Sequence, residues 1–269
     1  MLPSPTFDTT AVVTGASSGI GEEIARELAG RGHGVTLVAR RADKLETLAK
    51  ELTNKGVRIE VLPTDLSDPA ARAGLLGRLT DLRLTPAILV NNAGLSTLGP
   101  VHKADPAAEL NLVEVDVAAV VDLCTRFLPG MVEVRRGAVI NVASTAAFQP
   151  LPGQAAYGGA KAFVLSYTRA LTGELRGTGV TATAVCPGPV DTGFGEAAGF
   201  AKEDAEKALP SFMWETAAEV AKAAVHGADR GAPVVIPGQA NRVGAMFAHL
   251  APKRMLVPLL ARQHPGLRA

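Results

Sequence analysis

Cysteine is nearly absent: two thiols, Cys124 and Cys186, stand among 269 residues. Two are too few for a disulfide framework. Their settings, a helical pattern and the residue before a Pro-Gly turn, read as buried thiols without a catalytic role. The five histidines (His33, His102, His226, His249, His264) lie far apart, and without paired His or Cys spacing no metal site is expected. Charge of one sign is missing as well. The formal net charge of +1 gives no reason to expect nucleic acid or an acidic membrane as partner. No apolar run approaches the roughly 20 residues that span a bilayer. The start, Met1-Leu2-Pro3-Ser4-Pro5, has neither a basic flank nor an apolar signal core, so a soluble cytoplasmic protein is expected.

What the chain does have is alternation. Strand-like runs at 11–13, 34–39, 57–62, 87–90, 137–142, 180–185 and 232–236 are separated by helical patterns, with no linker or low-complexity break. That pattern predicts an α/β fold of a single domain over residues 1–269, a doubly wound, Rossmann-like parallel sheet of about seven strands. Long helices are expected over 107–128, ended by Pro129-Gly130, and over 154–175; Ser67-Asp68-Pro69 signals a capped start to another.

Chemistry in such sheets sits just beyond the carboxyl ends of the strands. After the first strand comes Thr14-Gly15-Ala16-Ser17-Ser18-Gly19-Ile20-Gly21, opening into a helix. Gly15 permits a tight turn, Gly19 lets a pyrophosphate approach the backbone, and Gly21 lets the helix pack close to the strand, while the helix N-terminus supplies N–H donors. This is a dinucleotide site. After the second strand the chain reads Ala39-Arg40-Arg41, with no acid to hold the ribose hydroxyls of NAD. A guanidinium grips a 2′-phosphate, so NADP(H) is the expected cofactor, with Arg40 leading and Arg41 assisting. Asp65 follows the third strand as a partner for the adenine amine or as a turn residue. Asn91-Asn92-Ala93-Gly94 follows the fourth, small enough for ribose to lie against the backbone, with an amide that can brace the sheet. Ser144 follows the fifth, and Tyr157 and Lys161 stand four apart on one helical face.

With Pro187-Gly188-Pro189-Val190-Asp191-Thr192 added, these motifs resemble the short-chain dehydrogenase/reductase family from about Thr10 to Thr192. The resemblance implies an NADP(H)-dependent carbonyl reductase or alcohol dehydrogenase. Tyr157 is then the general acid in reduction. Lys161 favours its phenolate form and holds the nicotinamide ribose, and Ser144 polarises the substrate carbonyl. The glycine turn from Gly15 to Gly21 (with Ser17, Ser18, Gly19 and Ile20), Leu66 beside Asp65, Asn92, Ala93 and Gly94, and Pro187, Gly188, Val190 and Thr192 complete the cofactor set. Asp116 departs from the family, which has asparagine there. Its carboxylate only accepts hydrogen bonds, and near Lys161 it favours the ammonium form while opposing the phenolate. A rival reading is a regulatory or scaffold protein that binds NADP(H) with little turnover.

Beyond Thr192, residues 193–214 read as a substrate lid holding Phe194, Phe200, Phe212, Met213 and Trp214 and a charged stretch from Lys202 to Lys207. The tail adds Val243, Met246, Phe247, Leu250, Met255, Leu256, Val257, Leu259 and Leu260, to line an apolar pocket, cover a subunit interface or touch a membrane. Pro252 and Pro258 interrupt it, so membrane contact ranks last and an apolar or lipid-like carbonyl substrate is favoured. Pairing of the two long helices, with Ala155, Ala156, Gly158, Gly159 and Ala160 allowing close approach, implies by resemblance a homodimer or homotetramer.

Overall fold

The computed structural model describes residues 1–197, 199 and 210–267; Phe200 and the stretch from Lys202 to Lys207 lie outside them. Seven parallel strands form one sheet: β1 (Thr9–Thr14), β2 (Gly34–Val38), β3 (Ile59–Val61), β4 (Thr85–Asn91), β5 (Gly137–Val142), β6 (Val180–Val185) and β7 (Val234–Val235). Their order is β3-β2-β1-β4-β5-β6-β7, so the direction of winding reverses between β1 and β4. That is where a crevice opens at the strand ends.

The strands are apolar on both faces because both are covered. Val12, Leu89, Val139 and Ala182 pack with Leu75 and Leu79 of α3 (Pro69–Asp81), Leu123 and Phe127 of α5 (Ala119–Glu133), and Val164 and Leu165 of α6 (Ala155–Glu174). Ala11, Val13, Ile88, Val90 and Ile140 face the other layer. It is made by Ile24 and Leu28 of α1 (Gly19–Gly30), Leu45 and Leu52 of α2 (Ala42–Thr53), and Val220 and Ala224 of α8 (Ala217–Asp229). Asp68 caps α3 through Ala70 N–H with Pro69 in its first turn, as the sequence signals. Both cysteines are buried and free. Burial pushes the Cys124 thiol up to about 11 and the Cys186 thiol up to about 12.

Three expectations are corrected. The helix expected over 107–128 is instead α4 (Pro106–Val113), a π-helical turn (Glu114–Ala118) and α5, which continues through Pro129 to Glu133. Phe127 and Met131 are both buried, and that packing carries the helix past a proline whose missing N–H would end an unsupported one. The last strand shrinks from five residues to two. The tail forms α9 (Gln239–Leu250) and α10 (Lys253–Gln263), and Pro258 lies inside α10 rather than breaking it. The short helix α7 (Phe194–Ala197) follows β6.

Candidate active site

The glycine turn is tied to the centre of the sheet by one threonine and one asparagine. Thr14 Oγ1 donates to the Val90 carbonyl at 3.0 Å and accepts from the N–H groups of Asn92 (2.9 Å) and Ala93 (3.1 Å). Asn92 Nδ2 donates back to the Thr14 carbonyl at 3.0 Å. Gly15 and Gly19 have φ of 65° and 61°, the left-handed region that side chains resist. Gly21 is small for another reason than the one expected: a Cβ there would lie 2.3 Å from Asn92 Nδ2 and 2.5 Å from the Gly15 carbonyl oxygen. It makes room for the loops after β1 and β4, not for the strand. A Cβ on Gly19 would meet Thr192 Cβ at 2.9 Å, so the loop after β6 reaches over the turn.

At the outer end, Arg41 lies across the turn. Its Nη2 donates to Ser17 Oγ and Ser18 Oγ, each at 2.9 Å. Arg40 is exposed beside it, with no hydrogen bond or ion pair among the described residues, and its charge reaches Asp65. Asp65 Oδ1 accepts from the Ser67 N–H at 3.0 Å and hydroxyl at 2.7 Å. Those bonds, with Arg40 adding, hold its carboxyl below the usual carboxylate range. The turn role therefore occupies Asp65 at least in part.

A cleft of about 970 Å³ connects these residues to Ser144, Tyr157 and Lys161. Every expected site residue lines it except Gly21 and Asp116, which stand behind the wall. Ser144 caps the turn Thr145–Phe148, its Oγ accepting the Ala146 N–H at 3.1 Å, which leaves the hydroxyl hydrogen to donate. Tyr157 is half-buried, its ring 5.9 Å from that of Phe194 in α7 and 5.7 Å from Lys161 Nζ. Lys161 is buried and donates to the Val142 carbonyl at 3.2 Å.

Asp116 is the unusual member. It sits in the π-helical turn, fully buried, with Oδ1 accepting the Leu95 N–H at 2.7 Å and Oδ2 2.9 Å from Lys161 Nζ. Burial pushes its carboxyl up. Burial alone would lower the Lys161 ammonium, but the negative charges of Asp116 and of an ionised Tyr157 outweigh it and hold that ammonium above its ordinary value. Asp116 thus accepts from a backbone N–H and pairs with Lys161 at the same time.

Three contributors escaped the sequence reading. Arg72, 4% exposed, donates to the Leu66 carbonyl (2.6 Å), Glu114 (2.6 Å) and Asp122 (3.2 Å), clamping the π-helical turn to the loop after β3. An arginine one turn from Leu75 on an otherwise apolar helix face was the available signal. Asn241, 1% exposed, donates to the Met213 carbonyl (3.1 Å) and Glu215 (3.0 Å) and packs against Gly188, holding the loop after β6. Gln154 Nε2 donates to Ser96 Oγ at 2.7 Å, and its Oε1 lies 3.2 Å from His264 Nε2, which brings the tail to the mouth of the cleft. Neither long-range set follows from sequence spacing.

A parallel sheet with its cleft at the winding reversal, glycine turn at one end and Ser-Tyr-Lys at the other, defines a Rossmann-like α/β protein of the dinucleotide-binding kind. The short chain dehydrogenase family model matches residues 9–203. A short chain dehydrogenase of Pseudocercospora fijiensis is 38% identical over 191 residues, 69% of this chain and 61% of its own length, so the chain spans less than two thirds of that relative. The NADP-dependent 3-hydroxy acid dehydrogenase YdfG of Salmonella typhi is 37% identical over 180 residues, 66% of this chain and 71% of that protein. Among solved structures, the short-chain dehydrogenase from Sphingobium yanoikuyae in complex with NADPH superposes with a TM-score of 0.79 at 34% identity, covering 93% of this chain and 95% of that one. The chain belongs to the short-chain dehydrogenase/reductase family.

Proposed function

We propose that the protein is an NADP(H)-dependent oxidoreductase that interconverts a carbonyl and a secondary alcohol on a neutral, largely apolar substrate. The observation that carries this reading is the joining of Ser144, Tyr157 and Lys161 with the arginine-flanked glycine turn in one cleft. The residues fit the cofactor. The positive-φ glycines bare backbone for a pyrophosphate, and the Ser17-Ser18-Arg41 cluster with Arg40 supplies hydroxyls and two guanidinium groups for a 2′-phosphate. The relatives point the same way, one named as NADP-dependent and one solved with NADPH. The bound cofactor supplies or accepts the hydride.

The chain's own residues handle the oxygen. Ser144 donates its hydroxyl hydrogen to the carbonyl oxygen, and Tyr157 delivers the proton during reduction and removes it during oxidation. Lys161 sets a positive charge beside the phenol that stabilises its anionic form. Asp116 and the Val142 carbonyl hold that ammonium in place.

The substrate end argues for a neutral ligand. It is lined by Leu95, Leu151, Phe194, Met213, Trp214, Ala248 and Leu260, with Gln149, Gln154, Asn241 and His264 as polar side chains, and burial holds the His264 imidazolium below its ordinary range. Among the described residues, the only Lys or Arg side chains lining the whole cleft are Arg40, Arg41 and Lys161. Among the described residues a carboxylate would find no guanidinium at the substrate end, unlike the 2′-phosphate at the other. The test is a panel of neutral ketones and aldehydes against 3-oxo and 3-hydroxy acids, read at the nicotinamide absorbance band. Higher kcat/KM for the neutral apolar members with NADPH is expected. A preference for the acids would refute the substrate assignment, and no turnover of any member would refute the enzymatic one.

A further inference from the structure

The near-neutral total charge hides a strong local imbalance. Between Arg230 and Ala269 there is no Asp or Glu, while Arg230, Arg242, Lys253, Arg254, Arg262 and Arg268 are all cationic. Most of this segment is α9 and α10. On α9, Val243, Met246, Phe247 and Leu250 recur at i, i+3, i+4 and i+7, the spacing of one helical face, and they are between 62% and 74% exposed. Met255 and Leu259 continue the exposed apolar surface on α10, with Arg262 at the next position of that face, and Phe212 is exposed on the turn packed against α9. Arg242, Lys253, Arg254 and Arg262 form no ion pair among the described residues. Isolated exposed apolar side chains are ordinary; a contiguous set of this kind marks a contact surface.

We propose that α9 and α10 dock the protein on the surface of an anionic lipid bilayer, the apolar face entering the headgroup boundary and the arginines meeting lipid phosphates and carboxylates. Charge complementarity selects this occupant. A second copy meeting the same face about a two-fold axis would bring together two cationic helix pairs, neither of which carries an Asp or Glu of its own. The helices lie in the bilayer plane and do not cross it, since no described helix is long and apolar enough to span. The inner faces of the same two helices, through Gly244, Ala245, Ala248 and Leu260, line the cleft. One helix pair thus separates the cleft from the proposed lipid surface, which places the site where an apolar substrate would partition. The docking itself does not depend on the substrate assignment.

The test is flotation with vesicles of phosphatidylcholine alone and of phosphatidylcholine mixed with phosphatidylserine, using the full chain, the double variant Met246→Glu/Phe247→Glu and the double variant Arg254→Glu/Arg262→Glu. NADPH titration by fluorescence reports that each variant is folded. Binding to the anionic vesicles is expected, at least about tenfold weaker to neutral ones and in both variants, and weakened by salt, given roughly fivefold per cation near such a surface. Absence of binding to anionic vesicles, equal binding to neutral ones, or undiminished binding by the folded Met246→Glu/Phe247→Glu variant would overturn the proposal. So would a vesicle-indifferent parent whose sedimentation shows an oligomer that the same variant splits, which would give the face to a second copy.

Discussion

Replacing Asp116 by asparagine removes a charge from the most buried ion pair of the site while keeping its shape. The amide oxygen still accepts the Leu95 N–H, so the local backbone is held, but the 2.9 Å partner of Lys161 is gone. Lys161 then feels burial without the opposing carboxylate, and its affinity for the proton falls. The alkaline limb of the pH profile for alcohol oxidation, where Lys161 loses its proton, therefore moves to lower pH in Asp116→Asn. The assay is kcat against pH for one accepted alcohol with NADP⁺ in both proteins. Superimposable profiles, or a shift to higher pH, would refute the electrostatic coupling.

Tyr157→Phe should lower kcat by about 100-fold or more and leave NADPH affinity nearly unchanged in a fluorescence titration, because only the proton-transferring hydroxyl is lost; unchanged turnover would refute its role. Arg41→Ala removes the guanidinium held on Ser17 and Ser18 and should weaken NADPH binding by roughly 10-fold to 100-fold with little effect on NADH, the loss of one charge-assisted contact. Arg40→Asp should narrow the same preference, and equal affinities of the parent for the two cofactors would refute both. Gly21→Ala places a Cβ 2.3 Å from Asn92 Nδ2 and should cost about 1 to 3 kcal/mol, seen as a lower Tm. In contrast Gly77→Ala, in mid-helix with nothing within 4 Å of its Cβ, should raise Tm through about 0.5 to 1 kcal/mol; a fall there would contradict the packing described.

The sequence by itself determined the alternation of strands and helices, the doubly wound class of the sheet and the line of residues at the strand ends. Each of those rests on local patterning: apolar runs that stay buried on both faces, glycines where the backbone must turn, and Tyr157 and Lys161 on one helical face. It did not determine how elements distant in the chain restrain one another. Pro129 and Pro258 read as breaks because their helices were judged alone, and at Pro129 the buried Phe127 and Met131 supply the support that local propensity lacks. The second arginine is the one held on the glycine turn because Ser17 and Ser18 lie within its reach across 24 and 23 residues of chain. Asp116 finds Lys161 only through a π-helical turn clamped by Arg72, and no spacing rule encodes that. The same division holds at the tail. Its lack of acids is written in the sequence, but which side chains of α9 and α10 line the cleft and which face outward was decided by packing against the rest of the protein, because a helix offers several faces and only tertiary contact chooses the one it buries.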